Sequence, residues 1–231
     1  QRAALGATPH PESMGMLAIL LARDRGDYLQ ASRYGREALR QDPWLELRRD
    51  VMYWLAVALF ELGEDEEALN YCRDATPLKS LDFGTTWMRA ECTLMVMALG
   101  DLEPTPRSAC ALLESTILKA SGDVRTKGPT RMQDFRDRGL LLFAGVLQAA
   151  GLPDSARVVL NQIGPVAPSR ISAGILARLG REEEGLEKLQ EYFESTPRAN
   201  PEKILDSRVL RFLRGYPPFD SLRSTVGETG P

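Results

Sequence analysis

Apolar residues recur along this chain at the spacing of an α-helix, and short polar or glycine-containing turns separate the runs. The first apolar face comprises Met14, Leu17, Leu20 and Leu21, and the second comprises Tyr28, Ala31, Tyr34 and Ala38. The same two-helix pattern returns over residues 51–62 and 66–76, and a further first helix is predicted over 85–99. This periodicity predicts an all-α fold built from pairs of antiparallel helices.

A glycine followed five residues later by a small residue marks the turn of the predicted pairs. These positions are Gly26/Ala31, Gly63/Ala68, Gly151/Ala156 and Gly180/Gly185. The glycine suits the left-handed backbone conformation that ends a helix, and the small residue lets two helix backbones approach closely. Such a repeat predicts a stack in which each pair buries its apolar face against the next.

These motifs resemble those of the tetratricopeptide repeat (TPR) family over residues 13–199. The second-helix pattern of that family is matched by Gly26-Asp27-Tyr28 with Ala31, Ala38 and Pro43. The turn glycines, with Gly100 included, are 37, 37, 51 and 29 residues apart, so the family's period of about 34 residues is met approximately. The resemblance implies a right-handed α-solenoid of four to five TPR-like helix pairs. A generic α-solenoid is the alternative.

The residues after Pro197 differ in character and resemble the end of many bacterial TPR regions. A leucine-arginine stretch precedes a proline-phenylalanine pair and a final leucine between Val209 and Leu222. We therefore expect residues 200–226 to form a C-terminal cap that covers the apolar end of the last pair. The residues expected to cover it are Leu210, Leu213, Phe219 and Leu222.

Three stretches are predicted to lie outside the regular repeats. Residues 1–12 are expected to form a flexible lead, residues 227–231 a disordered tail, and residues 119–138 a loop insertion. Ser121-Gly122-Asp123 and Lys127-Gly128-Pro129 indicate this loop. Its surplus of basic residues would attract an acidic partner, and the alternative is a mobile insertion without function.

In TPR folds the first helix of each pair directs residues thirteen, ten, six and three positions before the turn glycine into a concave groove. The residues at such positions, here called the predicted groove face, include Met16, Leu20, Asp50, Tyr53, Phe60, Trp87, Leu94, Arg138, Arg170, Gly174 and Ala177. The first repeats contribute apolar anchors to this face, and the later repeats contribute arginines that are expected to be exposed. The face therefore suits an amphipathic helix or extended segment with an acidic end. A chaperone-tail receptor is not expected, because Met16 and Leu20 stand where its polar clamp would be. Packing of the aromatic residues between helices is the alternative.

Composition narrows the class of function. The 231 residues carry 29 basic and 32 acidic side chains, so direct nucleic-acid binding, which needs a concentrated basic face, is not expected. No apolar run reaches the roughly 18 residues of a membrane span, so membrane insertion is not expected either. Cys72, Cys92 and Cys110 lie in helical patterns and indicate buried, reduced thiols, which favours the cytoplasm. A Cys92–Cys110 bridge and a periplasmic location are the alternatives.

Residues that would support catalysis are scarce. His10 is the single histidine and lies between two prolines, so a histidine-based triad or a zinc site inside the fold is not expected. The sequence contains no Cys-x-x-Cys pair, phosphate-binding loop or Gly-x-Ser-x-Gly elbow. The acidic clusters at 64–67 and 182–184 stand at predicted helix starts, where they interact with the helix dipole. We therefore expect no cofactor, no metal and no enzymatic activity.

Three functional hypotheses follow, and each leaves the oligomeric state open. The first is a non-enzymatic protein–protein interaction module that binds a peptide or protein segment in the groove, as the C-terminal part of a larger bacterial protein. The second is an intramolecular regulatory or dimerisation arm of a signalling or transcription-regulating protein, whose groove is filled by its own chain. An open groove and a monomer would favour the first, and self-association through an exposed apolar patch would favour the second. The third is a small-ligand sensor, with the loop at 119–138 folded over the groove.

Overall fold

Helices follow one another through the described part of the chain. A computed structural model describes residues 10–74, 83–122, 129–197 and 200–228, and no strand occurs within these ranges. The α-helices are α1 Pro11–Leu20, α2 Tyr28–Gln41, α3 Arg48–Glu61, α4 Asp65–Asp74, α5 Phe83–Leu99, α6 Pro106–Gly122, α7 Pro129–Ala149, α8 Pro153–Leu160, α9 Arg170–Arg178, α10 Glu182–Ser195, α11 Pro201–Leu205 and α12 Pro217–Glu228. A π-helical turn, Leu21–Arg25, extends α1, and a 3₁₀ helix, Arg208–Leu213, follows α11. The prediction of an all-α fold is confirmed.

The turn glycines adopt the conformation that their place in the sequence predicts. Gly26, Gly63, Gly151 and Gly180 have φ angles of 65°, 84°, 73° and 75°. At the last three of these turns the amide after the glycine donates to the carbonyl five residues earlier, at 2.9 Å. This bond satisfies a carbonyl that the helix end would otherwise leave free, and it requires a residue that tolerates positive φ. The prediction of left-handed turns is confirmed.

The small residue five positions after each turn glycine lies at a helix–helix contact. Ala31, Ala68 and Ala156 are buried. At Gly185 a Cβ would stand 2.8 Å from the carbonyl oxygen of Ala173, so a larger residue would not fit without a shift of the backbone. Close approach of the paired helices therefore depends on these positions, as their spacing predicts.

The helices contact one another as successive pairs. α1 packs on α2, α3 on α4, α5 on α6, α7 on α8 and α9 on α10, and the first helices of neighbouring pairs also touch. α9 departs from this serial order, because it contacts α5 as well as α7. The last pair therefore lies against the pair α5–α6 through α5, as well as against its neighbour in the sequence.

The buried apolar side chains fall mainly into one large and one small group. The large group runs from α3 to α12 and includes Phe60, Leu94, Leu142, Ile175 and Leu210. The small group lies at the N-terminal end and consists of Met14, Ile19, Ala38, Leu45 and Val51. The end of the chain thus contributes to the main core, whereas α1 packs in a local one.

The C-terminal segment, residues 200–228, contains α11, the 3₁₀ helix and α12. Leu210, Leu213 and Phe219 are fully buried, and Leu222 packs at the edge of the same core. The 3₁₀ helix contacts both helices of the last pair and also reaches α3. The segment therefore covers the last pair and, in addition, extends across the array.

The predicted loop insertion at 119–138 is helical over most of its length. α6 continues to Gly122 and α7 begins at Pro129, while residues 123–128 lie outside the described residues. The prolines and glycines mark the ends of two helices, because proline is well accommodated at the first helical position, where its missing N–H has no helical partner. The loop prediction is therefore wrong for 119–122 and 129–138.

The predicted ends of the ordered region also need correction. α1 begins at Pro11, inside the predicted flexible lead, and α12 extends to Glu228, inside the predicted tail. Residues 1–9 and 229–231 lie outside the described residues. The helical pattern of these two helices therefore continues further than the turn and tail signals indicated.

Cys72 and Cys92 form a disulfide that joins α4 to α5. Both are buried, as predicted, but the prediction of reduced thiols is wrong for this pair, and so is a Cys92–Cys110 bridge. Cys110 is free and half-buried, and burial raises the pKa of its thiol. Helical periodicity places each cysteine on an apolar face without showing which faces meet. The prediction of the cytoplasm loses the observation on which it was based, because disulfides persist mainly in oxidising compartments.

Candidate interaction surface

The aromatic and apolar residues of the predicted groove face on α3 and α5 lie between helices. Tyr53, Phe60, Trp87 and Leu94 are all buried. Burial raises the pKa of the Tyr53 hydroxyl, and the ring of Trp87 packs against Phe135 of α7 with 4.9 Å between centroids. Neighbouring helices cover this face, so the prediction that these four side chains line an open groove is wrong.

Met16 and Leu20, in contrast, remain on the surface. Their exposed fractions are 45% and 38%, and Leu17 beside them is 38% exposed. The buried face of α1 consists of Met14, Gly15, Ala18 and Ile19. The prediction that Leu17 and Leu20 share the buried apolar face of Met14 is therefore wrong. The outward face of α1 is therefore an apolar stripe in contact with solvent.

Two charged members of the predicted groove face lie beside oppositely charged residues. The Asp50 carboxylate lies 3.6 Å from the guanidinium of Arg49 on the same helix. Arg138 of α7 forms an ion pair with the buried carboxylate of Glu91 on α5. Removing Arg138 would leave the buried carboxylate of Glu91 without compensation. Arg138 therefore serves the α5–α7 contact rather than an acidic partner.

The expectation that Arg170 is exposed is wrong, because only 7% of the residue is accessible. Arg170 begins α9, donates a hydrogen bond to the Tyr28 hydroxyl and lies 3.7 Å from the carboxylate of Glu61. Burial opposes the charge on Arg170, but the neighbouring Tyr28 and Glu61 raise its pKa. Burial raises the pKa of Tyr28 to about 12 and also raises that of Glu61. Arg170 thus joins the last helix pair to α2 and α3.

The C-terminal segment occupies two of the predicted groove positions directly. A Cβ on Gly174 of α9 would stand 2.2 Å from the carbonyl oxygen of Val209, so the two backbones are in close contact. The guanidinium of Arg208 lies 4.7 Å from the centre of the Phe60 ring and donates to the Phe60 carbonyl at 2.7 Å. Part of the predicted groove face is therefore filled by the chain itself.

Carboxylates at the ends of α3, α4 and α5 hold the segment in place. The Arg208 amide donates to Glu61 at 2.6 Å, and its guanidinium donates to buried Asp65 at 2.8 Å. Arg211 donates to Asp101 at 2.7 Å, and this bond, together with Arg208, lowers the pKa of Asp101 to about 2. The two arginines therefore bind the turn that follows α3 and the turn that follows α5.

The first turn of the array also touches this segment. A Cβ on Gly26 would stand 2.8 Å from the Cβ of Lys203 in α11. Together with the arginine contacts, this places the C-terminal segment against the turns at residues 26, 63 and 100. These turns are 37 residues apart in sequence, so one segment follows the array from pair to pair.

Sequence reasoning missed Glu61, Asp65, Asp101, Arg208 and Arg211. The sequence places Asp65 in an acidic cluster at a predicted helix start and places Arg211 in the leucine-arginine stretch of the cap. Arg208 and Asp65 are 143 residues apart in the chain, so no local pattern pairs them. The alternation of leucine and arginine in the cap is the sequence feature that could have indicated these contacts, because it places arginines next to residues expected to be buried.

A surface pocket of about 360 Å³ lies between α4 and the turn after α5. Its walls include Glu66, Asn70 and Arg73 of α4 together with Leu102 and Glu103. These side chains do not form the nucleophile and adjacent base that covalent catalysis needs. The pocket is therefore a mixed polar and apolar depression without recognisable reaction chemistry.

The described residues offer few groups for metal or membrane binding. Among them, no three or more His, Cys, Asp or Glu side chains are placed to hold a metal ion. His10 stands exposed at the start of α1. None of the helices in the described ranges is long and apolar enough to cross a bilayer.

Comparison of this chain with protein-family models, with curated proteins and with solved structures finds no match in any of the three. The resemblance to TPR repeats therefore depends on the turn motifs and helix pairs of the chain itself. Function has to be argued from the contacts described above.

Proposed function

We propose that this chain is a non-enzymatic arm, built as a TPR-like right-handed α-solenoid, whose predicted groove face is covered partly by neighbouring helices and partly by its own C-terminal segment. Such an arm regulates or dimerises the protein to which it belongs through its outer surface. The observation that supports this proposal is the position of Arg208 and Val209 over Phe60 and Gly174.

A peptide that entered the groove would first have to displace the C-terminal segment. Val209, Leu210, Leu213 and Phe219 are fully buried in that segment. Burial of one such side chain stabilises a fold by about 1.5–3 kcal/mol, so exposing all four costs roughly 6–12 kcal/mol. This cost is comparable with the whole stability of an ordinary domain, about 5–15 kcal/mol. Intramolecular closure is therefore favoured over peptide capture in the groove.

The outward face of α1 supplies a surface through which a closed arm would meet another protein. Met16, Leu17 and Leu20 form an exposed stripe there, and Leu29 of α2 is exposed as well. Clustered apolar residues on a surface mark interaction sites more often than scattered ones do. Self-association through this stripe is the behaviour that the closed-arm hypothesis predicts.

The small-ligand hypothesis loses the loop on which it depends. Residues 119–122 and 129–138 are helical, and residues 123–128 lie outside the described residues. Arg138, one of the basic residues expected to line the ligand site, is paired with Glu91. These two observations disfavour a ligand site under a basic loop.

Sedimentation velocity over a micromolar concentration series tests the α1 surface. We expect the sedimentation coefficient of the wild-type chain to rise with concentration, and Leu20→Lys to abolish the rise, because a charged group is costly to desolvate in an apolar contact. Val158→Lys on α8 is the matched control, since Val158 is an exposed apolar residue away from α1. A wild-type chain that stays monomeric at every concentration would exclude dimerisation through this face.

Amide hydrogen exchange tests the closure of the predicted groove face. We expect the amides of 208–213 to exchange only through global unfolding, because the 3₁₀ helix is buried and the Arg208 amide donates to Glu61. Fast exchange of these amides in a chain whose α5 and α9 stay protected would contradict closure. That outcome would favour the peptide-binding hypothesis instead.

A further inference from the structure

The contact between α4 and α5 is held at both ends, by bonds of different kinds. Near the end of α4, Cys72 is joined to Cys92 in the middle of α5 by the disulfide. At the start of α4, the Asp65 carboxylate accepts a hydrogen bond from the Asp101 amide, just beyond the end of α5, at 2.8 Å. The two helices therefore run antiparallel, with a covalent clasp at one end and a polar clasp at the other.

The polar clasp is also the docking site of the C-terminal segment. Arg208 donates to Asp65 at 2.8 Å and to Asp101 as well. Asp65 and Cys72 lie on the same helix, two turns apart, so a change in the position of α4 at one clasp affects the other. Docking of the C-terminal segment is thus mechanically linked to the cysteine pair.

We propose that the Cys72–Cys92 disulfide is a redox-dependent lock on the α4–α5 contact and, through Asp65 and Arg208, on the docking of the C-terminal segment. An oxidising compartment closes the lock, and a thiol reductant opens it. This inference stands independently of whether the outer surface of α1 binds another protein.

The chemistry requires a disulfide oxidant such as glutathione disulfide. One protein thiolate attacks the oxidant, releases one glutathione and forms a mixed disulfide. The second cysteine then displaces the second glutathione, so the protein loses two electrons and two protons while one glutathione disulfide becomes two glutathione thiols. The Cα atoms of Cys72 and Cys92 are 5.5 Å apart, within the range that a disulfide spans.

Burial determines how the lock opens. Cys72 and Cys92 are fully buried in the main core, so a reductant reaches the sulfur atoms only when α4 separates from α5. The two cysteines are 20 positions apart in the sequence. A disulfide that closes a chain loop of about this length should raise the melting temperature of a domain of this size by roughly 6–12 °C. Reduction of the disulfide should reverse this increase.

Thiol counting tests whether the bond forms. The purified full chain is incubated with glutathione disulfide, unfolded and alkylated with iodoacetamide. Cys110 stays a free thiol or forms a mixed disulfide with glutathione. We therefore expect at most one alkylated cysteine before reduction, an intact mass with glutathione on Cys110 at most, and three alkylated cysteines after treatment with dithiothreitol. Three alkylated cysteines in the oxidised sample would overturn the proposal.

Melting and hydrogen exchange test whether the bond acts as a lock. Reduction of the wild-type chain should lower its Tm by roughly 6–12 °C. It should also speed amide exchange in 65–74 and 208–213 by a larger factor than in α7, whose exchange reports the loss of global stability. The Cys72→Ala/Cys92→Ala variant should resemble the reduced chain and show no response to dithiothreitol. Cys110→Ala is the control and should respond as the wild-type chain does.

An unchanged Tm together with unchanged exchange at 208–213 would overturn the lock even if the thiol count is as expected. Faster exchange confined to 65–74 would overturn the link to the C-terminal segment. If the double variant fails to fold, the comparison of oxidised and reduced wild-type chains still decides between these outcomes.

Discussion

At the C-terminal end of the array, the 3₁₀ helix packs on both helices of the last pair, and Leu213 and Phe219 of the C-terminal segment are fully buried. At the N-terminal end, Met16 and Leu20 on the outward face of α1 remain in contact with solvent. Both ends of a helical stack meet the same physical problem, because each end helix has an apolar face without a next pair to cover it. The chain covers one face with its own residues, and the described residues leave the other uncovered.

Substitutions at the two ends should therefore affect different properties, stability at one end and association at the other. Residues of the C-terminal segment are core residues, so changing them should mainly affect the free energy of unfolding. Residues on the outward face of α1 contribute little to the fold, so changing them should mainly affect association.

Leu213→Ala and Leu20→Ala make the same chemical change at the two ends. We expect Leu213→Ala to reduce the free energy of unfolding by about 2–5 kcal/mol, because it leaves a cavity in the main core. Leu20→Ala should change it by less than about 0.5 kcal/mol, as expected for a surface position. Urea denaturation of both variants measures the difference. Equal losses would show that α1 is covered in solution.

Arg208→Ala removes the guanidinium that holds the C-terminal segment on the turns of the array. We expect a loss of about 3 kcal/mol, because Asp65 is buried and would be left without its charged partner. Arg214→Ala is the control, since the Arg214 side chain is exposed and donates to the carbonyl of Asp206. Its expected change is below about 0.5 kcal/mol. A small effect of Arg208→Ala, similar to that of Arg214→Ala, would contradict the close docking.

Gly174→Ala and Gly15→Ala compare two helical glycines at close contacts. A Cβ on Gly174 would meet the backbone oxygen of Val209 at 2.2 Å, whereas a Cβ on Gly15 would meet side-chain methyl groups of Val51 and Leu45 at 2.9 and 3.1 Å. A backbone oxygen cannot move away by a change of side-chain rotamer. We therefore expect Gly174→Ala to reduce the free energy of unfolding by about 1–3 kcal/mol. At Gly15, the gain in helix propensity of about 1 kcal/mol should offset most of the crowding. Thermal unfolding of the two variants measures both effects, and a stabilised Gly174→Ala protein would refute the contact.

Asp101 should make a small part of the stability pH-dependent. Arg211 and Arg208 lower its pKa in the folded chain to about 2 from an ordinary value of 3.8. Its contribution is therefore present above the ordinary value and is lost as the pH falls through about 2. Because the Asp101 side chain is 69% exposed, solvent screening should keep the effect below about 1 kcal/mol.

The control for this pH dependence comes from the N-terminal half of the chain. Glu37 of α2 also has a pKa lowered to about 2, by Arg40 one turn away on the same helix. A local pair of this kind does not depend on the C-terminal segment. Both variants, Asp101→Asn and Glu37→Gln, should reduce the acid sensitivity of the melting temperature, because both carboxylates bind protons more weakly in the folded chain. Only Asp101→Asn should also speed amide exchange in residues 208–213 relative to α2. An equal exchange response of the two variants would show that Asp101 does not report on docking.

Local backbone chemistry explains why some parts of this fold were predictable. The turns at Gly26, Gly63, Gly151 and Gly180 follow from glycine's tolerance of positive φ, and the contact at Ala68 follows from side-chain size. Both properties depend on residues a few positions apart. The loop prediction at 119–138 failed for the same local reason, because Gly122 and Pro129 are as compatible with helix ends as with a loop.

The candidate site was predicted less well, because its residues meet across long stretches of the chain. Tyr53 and Trp87 occupy positions that suit either a groove or a helix contact, and only the packing of α3, α5 and α7 decides which. The pairing of Cys72 with Cys92 likewise depends on how α4 lies against α5. Apolar periodicity shows that a face is buried without showing what buries it.

Residue type and local spacing were sufficient to predict the all-α fold, the glycine turns and the apolar character of the C-terminal cap. The tertiary structure alone decided that Arg208 and Arg211 bind Asp65 and Asp101 and that the cap lies across the predicted groove face. The arginine–aspartate contacts join residues 143 and 110 positions apart. The 3₁₀ helix that carries both arginines packs on α9, which also contacts α5. Whether a helical array is open or closed is therefore a property of its packing, since the same amphipathic helices suit both arrangements.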